Sequence, residues 1–297
     1  MMTYNTAIVL MGTALLSALA GLVGCFAVLR RHALMGDALA HAALPGLCLA
    51  YLVVGERNLP AMLVGALLSG WLGVLCIQGI IAGTRIKQDA AVGIILSVFF
   101  GAGIVLSQII QQSPSGGKAG LDSFIYGKTA GMIAQDVYWI AAIVLLALIV
   151  IIVAYKEFKL IAFDPDFAKI QGWPATRLDL ILKALLGLTV VVGLPSVGVV
   201  MIAALLVLPC VIMRFWTDTF MMLLIGASLF GVAMGISGTW ISSTIAQMPT
   251  GPTIILFGTA FFLLSAVLSP KRGILSRMRR WHNQELDQSM ITPSTEP

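Results

Sequence analysis

Charge is scarce in this chain of 297 residues: Asp, Glu, Lys and Arg make up 10% of it, against 59% hydrophobic residues. That scarcity excludes a soluble catalytic domain, because no polar segment before the tail is long enough to build a core of its own. The four cysteines, Cys25, Cys48, Cys76 and Cys210, lie in apolar runs and form no CxxC pair. They imply no disulfide framework and read as small hydrophobes inside helices. Among the three histidines, His32, His41 and His282, no HExxH or Ser–His–Asp arrangement appears. Gly127-Lys128-Thr129 ends like a phosphate-binding loop, but that loop needs glycine at position 122, where Asp122 stands, and a strand before it. The chain therefore carries no ATPase machinery and is not itself an enzyme; its energy comes from another subunit or an ion gradient. The basic residues are dispersed and lack interleaved stacking aromatics, which excludes nucleic acid as a partner.

Long charge-free runs fill the space that charge leaves. They cover 3–29, 42–55, 58–84, 90–117, 137–155, 184–213 and 219–270. A helix needs about 20 apolar residues to cross the hydrocarbon core, so these runs hold eight or nine spans. The first run is long and has no Lys or Arg before it, and reads as a retained span rather than a cleaved signal. The net charge of +5 gathers at Arg30-Arg31, Arg85 and Lys87, the island from Lys156 to Lys183, Arg214 and the basic tail from Lys271 to Arg280. Positive-inside counting places all of these in the cytoplasm. That pattern fits nine spans with the N-terminus outside and the C-terminus cytoplasmic, or eight if one segment is re-entrant.

The expected spans are 6–29, 36–54, 59–82, 90–110, 137–155, two short ones inside 178–215, 220–240 and 253–268. Gly21-Leu-Val-Gly24 and Gly231-xxx-Gly235 predict close helix packing. Pro45-Gly46 predicts a break in the second span, Pro195-Ser-Val-Gly198 divides the long run, and Pro209 breaks its second half further. Asp89 and Asp136 open spans as helix-start carboxylates. Lys183, inside its span, is expected to snorkel to the interface. Ser113-Pro-Ser-Gly-Gly117 reads as a loop, and Phe124-Ile-Tyr-Gly-Lys-Thr129 as a short interfacial helix. In the polar island, Asp164 suits an N-cap, Pro165 the first helical position and Gly172 a stop, so 163–172 predicts a short docking helix between spans. Residues 1–281 form the membrane domain; 282–297 form a polar tail expected to be disordered.

The sharpest signal is Asp37 with His41. An Asp at membrane depth costs roughly 2.5–3.5 kcal/mol, and such residues usually line an ion or substrate path. The i, i+4 spacing puts both on one helix face, about 5–6 Å apart at Cβ. Carboxylate and imidazole together suit Mn²⁺, Zn²⁺ or Fe²⁺. Two ligands do not complete a shell, but a second copy facing the first on a twofold axis supplies two more. A structural polar pair, or Asp37 as the cap of a helix opening at Gly36, is the alternative reading. Cys48 falls on roughly the same face, two turns beyond His41.

The segment Leu34-Met-Gly-Asp-Ala-Leu-Ala-His-Ala-Ala-Leu-Pro-Gly46 closely resembles the signature helix of the zinc/manganese/iron ABC transporter permeases. Lys87-Gln-Asp-Ala-Ala-Val-Gly93, Phe124-Ile-Tyr-Gly127, Phe163-Asp-Pro-Asp-Phe-Ala168 with Gly172, the run from Val197 to Pro209, and Pro249-Thr-Gly-Pro-Thr253 follow in family order. The resemblance covers 6–281. It implies an all-α membrane protein, a polytopic bundle of eight to nine transmembrane helices with a short cytoplasmic coupling helix. It implies the permease subunit of an ATP-driven metal importer of the bacterial plasma membrane, with Asp37 and His41 as the metal pair. Phe163, Asp164, Pro165, Asp166, Phe167, Ala168 and Gly172 then form the coupling helix. The implied partners are a cytoplasmic ATPase dimer, a second permease (the same chain or a paralogue), an extracytoplasmic metal-binding protein and lipid. No cofactor is held permanently; the metal passes through. Cys48 and Cys210 stand where small apolar residues are commoner in the family. A secondary, proton-coupled transporter using Asp37–His41 as a relay is the rival, and the docking helix argues against it. A siderophore or vitamin B12 permease shares the plan, but a large substrate has less use for such a pair.

Overall fold

The computed structural model describes residues 4–269, apart from 57, 113–123, 125, 126, 128, 246 and 247, together with Gly273. The loop at 113–117, most of the 124–129 segment and the tail 282–297 lie outside the described residues. Among those described, the chain is helical throughout: α1 (Tyr4–Leu29), α2 (Ala33–Val54), α3 (Leu59–Gly83), α4 (Gln88–Gln111), α5 (Ala134–Val153), α6 (Tyr155–Phe163), α7 (Pro165–Ile170), α8 (Ala175–Val197), α9 (Val199–Trp216), α10 (Phe220–Thr244) and α11 (Thr250–Leu268). Eight of these are long and apolar enough to cross a membrane, and α9 is a shorter apolar ninth.

Local chemistry sets the ends. Asn58 Oδ1 accepts the Ala61 amide at 3.2 Å, with Pro60 in the first turn of α3. Asp136 Oδ2 accepts the Ile133 amide at 2.9 Å and closes the start of α5, while Asp89 sits in the first turn of α4. Both acids thus lie at the positive ends of helix dipoles, as expected.

α1, α2 and α8 form the buried centre, and α3, α4, α5, α10 and α11 form the rim. In lipid, helices associate through close packing and polar contacts rather than the hydrophobic effect, so small residues carry the interfaces. The glycines predicted for this do so. A methyl on Gly24 would overlap the Leu206 carbonyl of α9, and one on Gly21 would stand 2.5 Å from the Ala227 carbonyl of α10. Gly231 and Gly235 in turn face the backbones of Ser17 and Thr13 on α1, and Thr13 shares a 2.9 Å hydroxyl contact with Thr239.

The prolines behave in two ways. Gly198, at φ 87 and ψ 165, separates α8 from α9, in a region open essentially to glycine alone, so the predicted division falls there. Thr129 Oγ1 donates to the Ser196 carbonyl at 2.6 Å beside this elbow. At Pro45 and Pro209 the expected breaks do not occur: α2 and α9 run straight through them. Tight neighbours hold α2 together there. Gly46 abuts the backbone of Gly65 on α3, and Ser69 Oγ donates to the Ala42 carbonyl at 2.7 Å. Pro45 removes only the donor for the His41 carbonyl, a loss that packed membrane helices tolerate.

Lys183 also departs from expectation. It is buried, and its Nζ donates to Asp179 Oδ2 at 2.6 Å instead of reaching the interface. An acid one turn earlier on the same helix is the nearer partner.

Candidate metal centre and coupling helix

α2 starts at Ala33, so Asp37 lies one turn inside the helix and is not its cap. Most of α2 is buried. Its open positions are Ala33, Leu34, Asp37 and His41 in the first half and Leu49, Ala50, Leu52, Val53 and Val54 near the far end, with 42–48 buried between them; Leu34, Asp37 and His41 fall on one face and draw a short stripe. Asp37 and His41 are the ionisable members of that stripe.

The two side chains meet as the spacing predicts. His41 Nε2 stands 3.5 Å from Asp37 Oδ1, with the His41 side chain 15% and the Asp37 side chain 35% exposed. That gap is long for a hydrogen bond. Two atoms each about 2.1 Å from one tetrahedral metal would stand about 3.4 Å apart, close to this gap. The imidazole is placed by an edge-on contact with Phe100 of α4, with centroids 4.6 Å apart and planes at 76°. Its Nδ1 is buried and finds no hydrogen-bond partner among the described residues. Packing against an aromatic ring therefore orients this imidazole. Phe100 carries no sequence signal for such a role, since it lies 59 residues from His41 within an apolar run. Cys48 is kept apart; it is buried, with Sγ directed at the Gly103 carbonyl of α4 at 3.8 Å. Among the described residues no third His, Cys, Asp or Glu joins the pair.

The helix α4 flanks this stripe. Its Gly93, Ser97 and Gly101 fall at i, i+4 and i+8 on an exposed face, and a methyl on either glycine would meet nothing within 4 Å. This is a small-residue face of the kind that lets membrane helices approach closely, left open within the single chain.

At the other candidate site the local prediction holds closely. Asp164 Oδ1 accepts the Phe167 amide at 2.9 Å, Pro165 opens α7 and Gly172, at φ +82, ends it. Ala168 is buried and its carbonyl accepts the Trp173 amide at 3.0 Å, which folds the chain back toward α8. Asp166 and Lys169 form an exposed 2.9 Å pair, worth little by itself. Phe163, the last residue of α6, sets its exposed ring edge-on to Phe220, with centroids 5.6 Å apart. Phe167, Ile170 and Trp173 then project as an exposed apolar knob beside the acid–base pair. Ile170 and Trp173 extend the predicted set; their signal was a large apolar residue inside a polar island.

A polytopic bundle with a half-shell of metal-type ligands on one helix, and a short polar helix carrying an apolar knob between two spans, is the architecture of a transport permease. Comparison with known proteins is specific. Residues 2–269 match the ABC 3 transport family, and the chain belongs to that family. It is the membrane permease component of an ABC transporter, and ATP hydrolysis is the work of a separate subunit. The chain is 45% identical over 287 residues to the manganese transport system membrane protein MntC of Bacillus subtilis, covering 95% of this chain and 66% of that protein. It is 40% identical over 277 residues to the zinc transport system membrane protein TroC of Treponema pallidum, covering 93% of each. Among solved structures it resembles PsaBC from Streptococcus pneumoniae in complex with Fab, with a TM-score of 0.81, 28% identity, and coverage of 93% of this chain and 96% of that one.

Proposed function

We propose that this chain is the permease of an importer for a divalent transition metal, Mn²⁺, Zn²⁺ or Fe²⁺, and that Asp37 and His41 hold the ion part-way across the bilayer. The carrying observation is the 3.5 Å separation of Nε2 and Oδ1 on the open face of the first half of α2. A second permease, the same chain or a paralogue, sets its own pair opposite and completes four ligands on a twofold axis. The open Gly93–Ser97–Gly101 face of α4, adjoining the stripe through Phe100, is the surface over which that partner packs. The naming of the relatives as manganese and zinc transport proteins supports the same substrate class.

The ion arrives from an extracytoplasmic binding protein at the outer mouth. A carboxylate and a neutral imidazole from each side replace part of its hydration shell. α7 seats its apolar knob in a cytoplasmic ATPase dimer, whose cycle rocks the two permeases. Arg30, Arg31, Arg85, Lys87, Lys156, Lys159, Lys169 and Arg214 all fall on one side if α9 counts as a ninth crossing. The N-terminus is then outside the bacterial plasma membrane and the C-terminus in the cytoplasm. Inward movement of a 2+ ion gains about 4.6 kcal/mol per 100 mV. A thousand-fold uphill ratio costs about 4.1 kcal/mol. The potential nearly offsets such a gradient, so ATP serves mainly to gate the path and to strip the ion from a tight donor.

The test is ATP-dependent uptake of radioactive Mn²⁺ or Zn²⁺ by vesicles holding the permease with its ATPase and binding protein. Wild-type uptake that is lost in Asp37→Ala and His41→Ala supports the reading. Full transport by both variants removes it, and uptake without any ATPase returns the secondary transporter.

A further inference from the structure

Where the end of α1 meets α8, a cluster of charge is buried. Asp179 of α8 places Oδ1 3.0 Å from Arg30 Nη1 at the end of α1, while its Oδ2 accepts from Lys183. The Arg30, Asp179 and Lys183 side chains are only 16%, 15% and 10% exposed. The Arg30 contact is ionic rather than an aligned hydrogen bond. One carboxylate therefore compensates two cations.

The cluster stands between the two functional sites. Upstream, α7 ends at Ile170, and Gly172 and Trp173-Pro174 lead directly into α8, where Asp179 lies about one turn from the start. Downstream, Arg30 opens the two-residue turn that joins α1 to α2. Arg31 in that turn has φ +59, a conformation non-glycine residues adopt rarely and at a cost. The His32 amide donates to the Ala27 carbonyl at 2.7 Å and the Met35 amide to the His32 carbonyl at 2.9 Å, so the turn fixes the entry of α2. One turn further along α2 is Asp37. α8 also backs α2 directly, Gly187 facing Leu39, which lies opposite Asp37 and His41 on the helix.

An apolar contact between helices can slide without much loss, because it is non-directional. A buried ion pair cannot, since separating it leaves a charge without a partner in an apolar setting. We propose that Asp179, through Arg30, is a positioning residue that ties the coupling helix to the metal pair, so that α8, α1 and α2 move together when an ATPase displaces α7. The proposal rests on the importer reading above. Lys183 belongs to the same cluster but not to the tie: among the described residues its ion pair is with Asp179 of its own helix.

That asymmetry gives the test. Arg30→Gln and Lys183→Met each remove one cation and leave Asp179 a single partner, so both keep a balanced pair. Only the first cuts the link from α8 to α1. The full importer, with permease, ATPase and binding protein, is reconstituted in liposomes, and Mn²⁺ uptake and ATP hydrolysis are read in the same vesicles. Mn²⁺ binding is titrated separately on the detergent-solubilised complex. Arg30→Gln is expected to lower Mn²⁺ moved per ATP at least tenfold, with ATP hydrolysis and Mn²⁺ affinity within about threefold of wild type. Lys183→Met keeps the ratio within about threefold, and Arg30→Lys restores most of it. Equal losses in Arg30→Gln and Lys183→Met, which a purely structural cluster produces, overturn the proposal. So does an unchanged ratio in Arg30→Gln, or Mn²⁺ affinity falling in step with uptake. Wild-type vesicles without ATP-dependent uptake of Mn²⁺, Zn²⁺ or Fe²⁺ would instead remove the importer reading, and this inference with it.

Discussion

Replacing His41 by Ala, or Asp37 by Asn, tests the site most directly, and its magnitude follows from the geometry. On the proposed reading each chain contributes two ligand atoms 3.5 Å apart, and no third His, Cys, Asp or Glu joins them among the described residues. In a twofold complex of identical chains, one substitution removes two of four ligands at once. Losing an outer partner of a metal ligand already weakens binding about 10–100-fold. Losing a direct ligand costs no less, and two such losses multiply to at least about 100-fold in Kd, or about 2.7 kcal/mol. The fold should survive: the Asp37 side chain is 35% exposed, and Asn keeps its size. His41→Ala gives up one edge contact with Phe100. Competition titration of Mn²⁺ and Zn²⁺ on the purified permease–ATPase complex reads the affinity, and elemental analysis of the same sample counts the ion. Wild type is expected to bind one ion per permease pair. Both variants holding Kd within threefold of wild type would refute the shared-ion geometry, however much transport they lose.

Three further outcomes follow from the structure. Phe167→Glu places a charge on the exposed knob of α7 without touching the buried Ala168; its thermal midpoint should move by less than about 2 °C, while the ATPase recovered with it on affinity purification falls at least tenfold. Gly101→Leu fills the open face of α4 and should shift the purified permease from paired to single chains on size-exclusion with light scattering; undiminished pairing would move the interface elsewhere. His32, in the turn between α1 and α2, is held at a pKa of about 4, first by burial and then by the Lys183 charge, with Arg30 acting the same way and Asp179 and a hydrogen bond to Gln88 opposing. A lowered histidine pKa contributes stability that is complete above about 6.5 and fades as pH falls toward 4. Acidification from pH 7.5 to 5 should therefore cost about 1 kcal/mol at this residue, after allowance for water reaching the ring. A thermal-shift series reads it, and His32→Gln should flatten that part of the pH profile.

Much of this molecule is written locally. Charge-free runs give the spans because lipid leaves the backbone no other arrangement. The i, i+4 rule places Asp37 beside His41, and Asp164, Pro165 and Gly172 frame α7 by capping chemistry alone. What escapes is decided between distant segments. Pro45 reads as a break, yet α3 clamps α2 through Gly65 and Ser69. Lys183 reads as a snorkelling residue, although Asp179 at i−4 was a visible partner. Arg30 and Asp179 lie 149 residues apart, and no periodicity or composition links them. Phe100 on His41 is hidden for the same reason.

The backbone-to-backbone seams of α1 with α9 and α10 carry a mechanical consequence. Where Gly24 meets the Leu206 carbonyl and Gly231 meets Ser17, there is no layer of pliable side chains to shear. Those three helices behave as a keel. A push delivered at the cytoplasmic edge has no soft joint there in which to be absorbed. In the importer proposed above, it would emerge as rotation of this whole half against its partner permease.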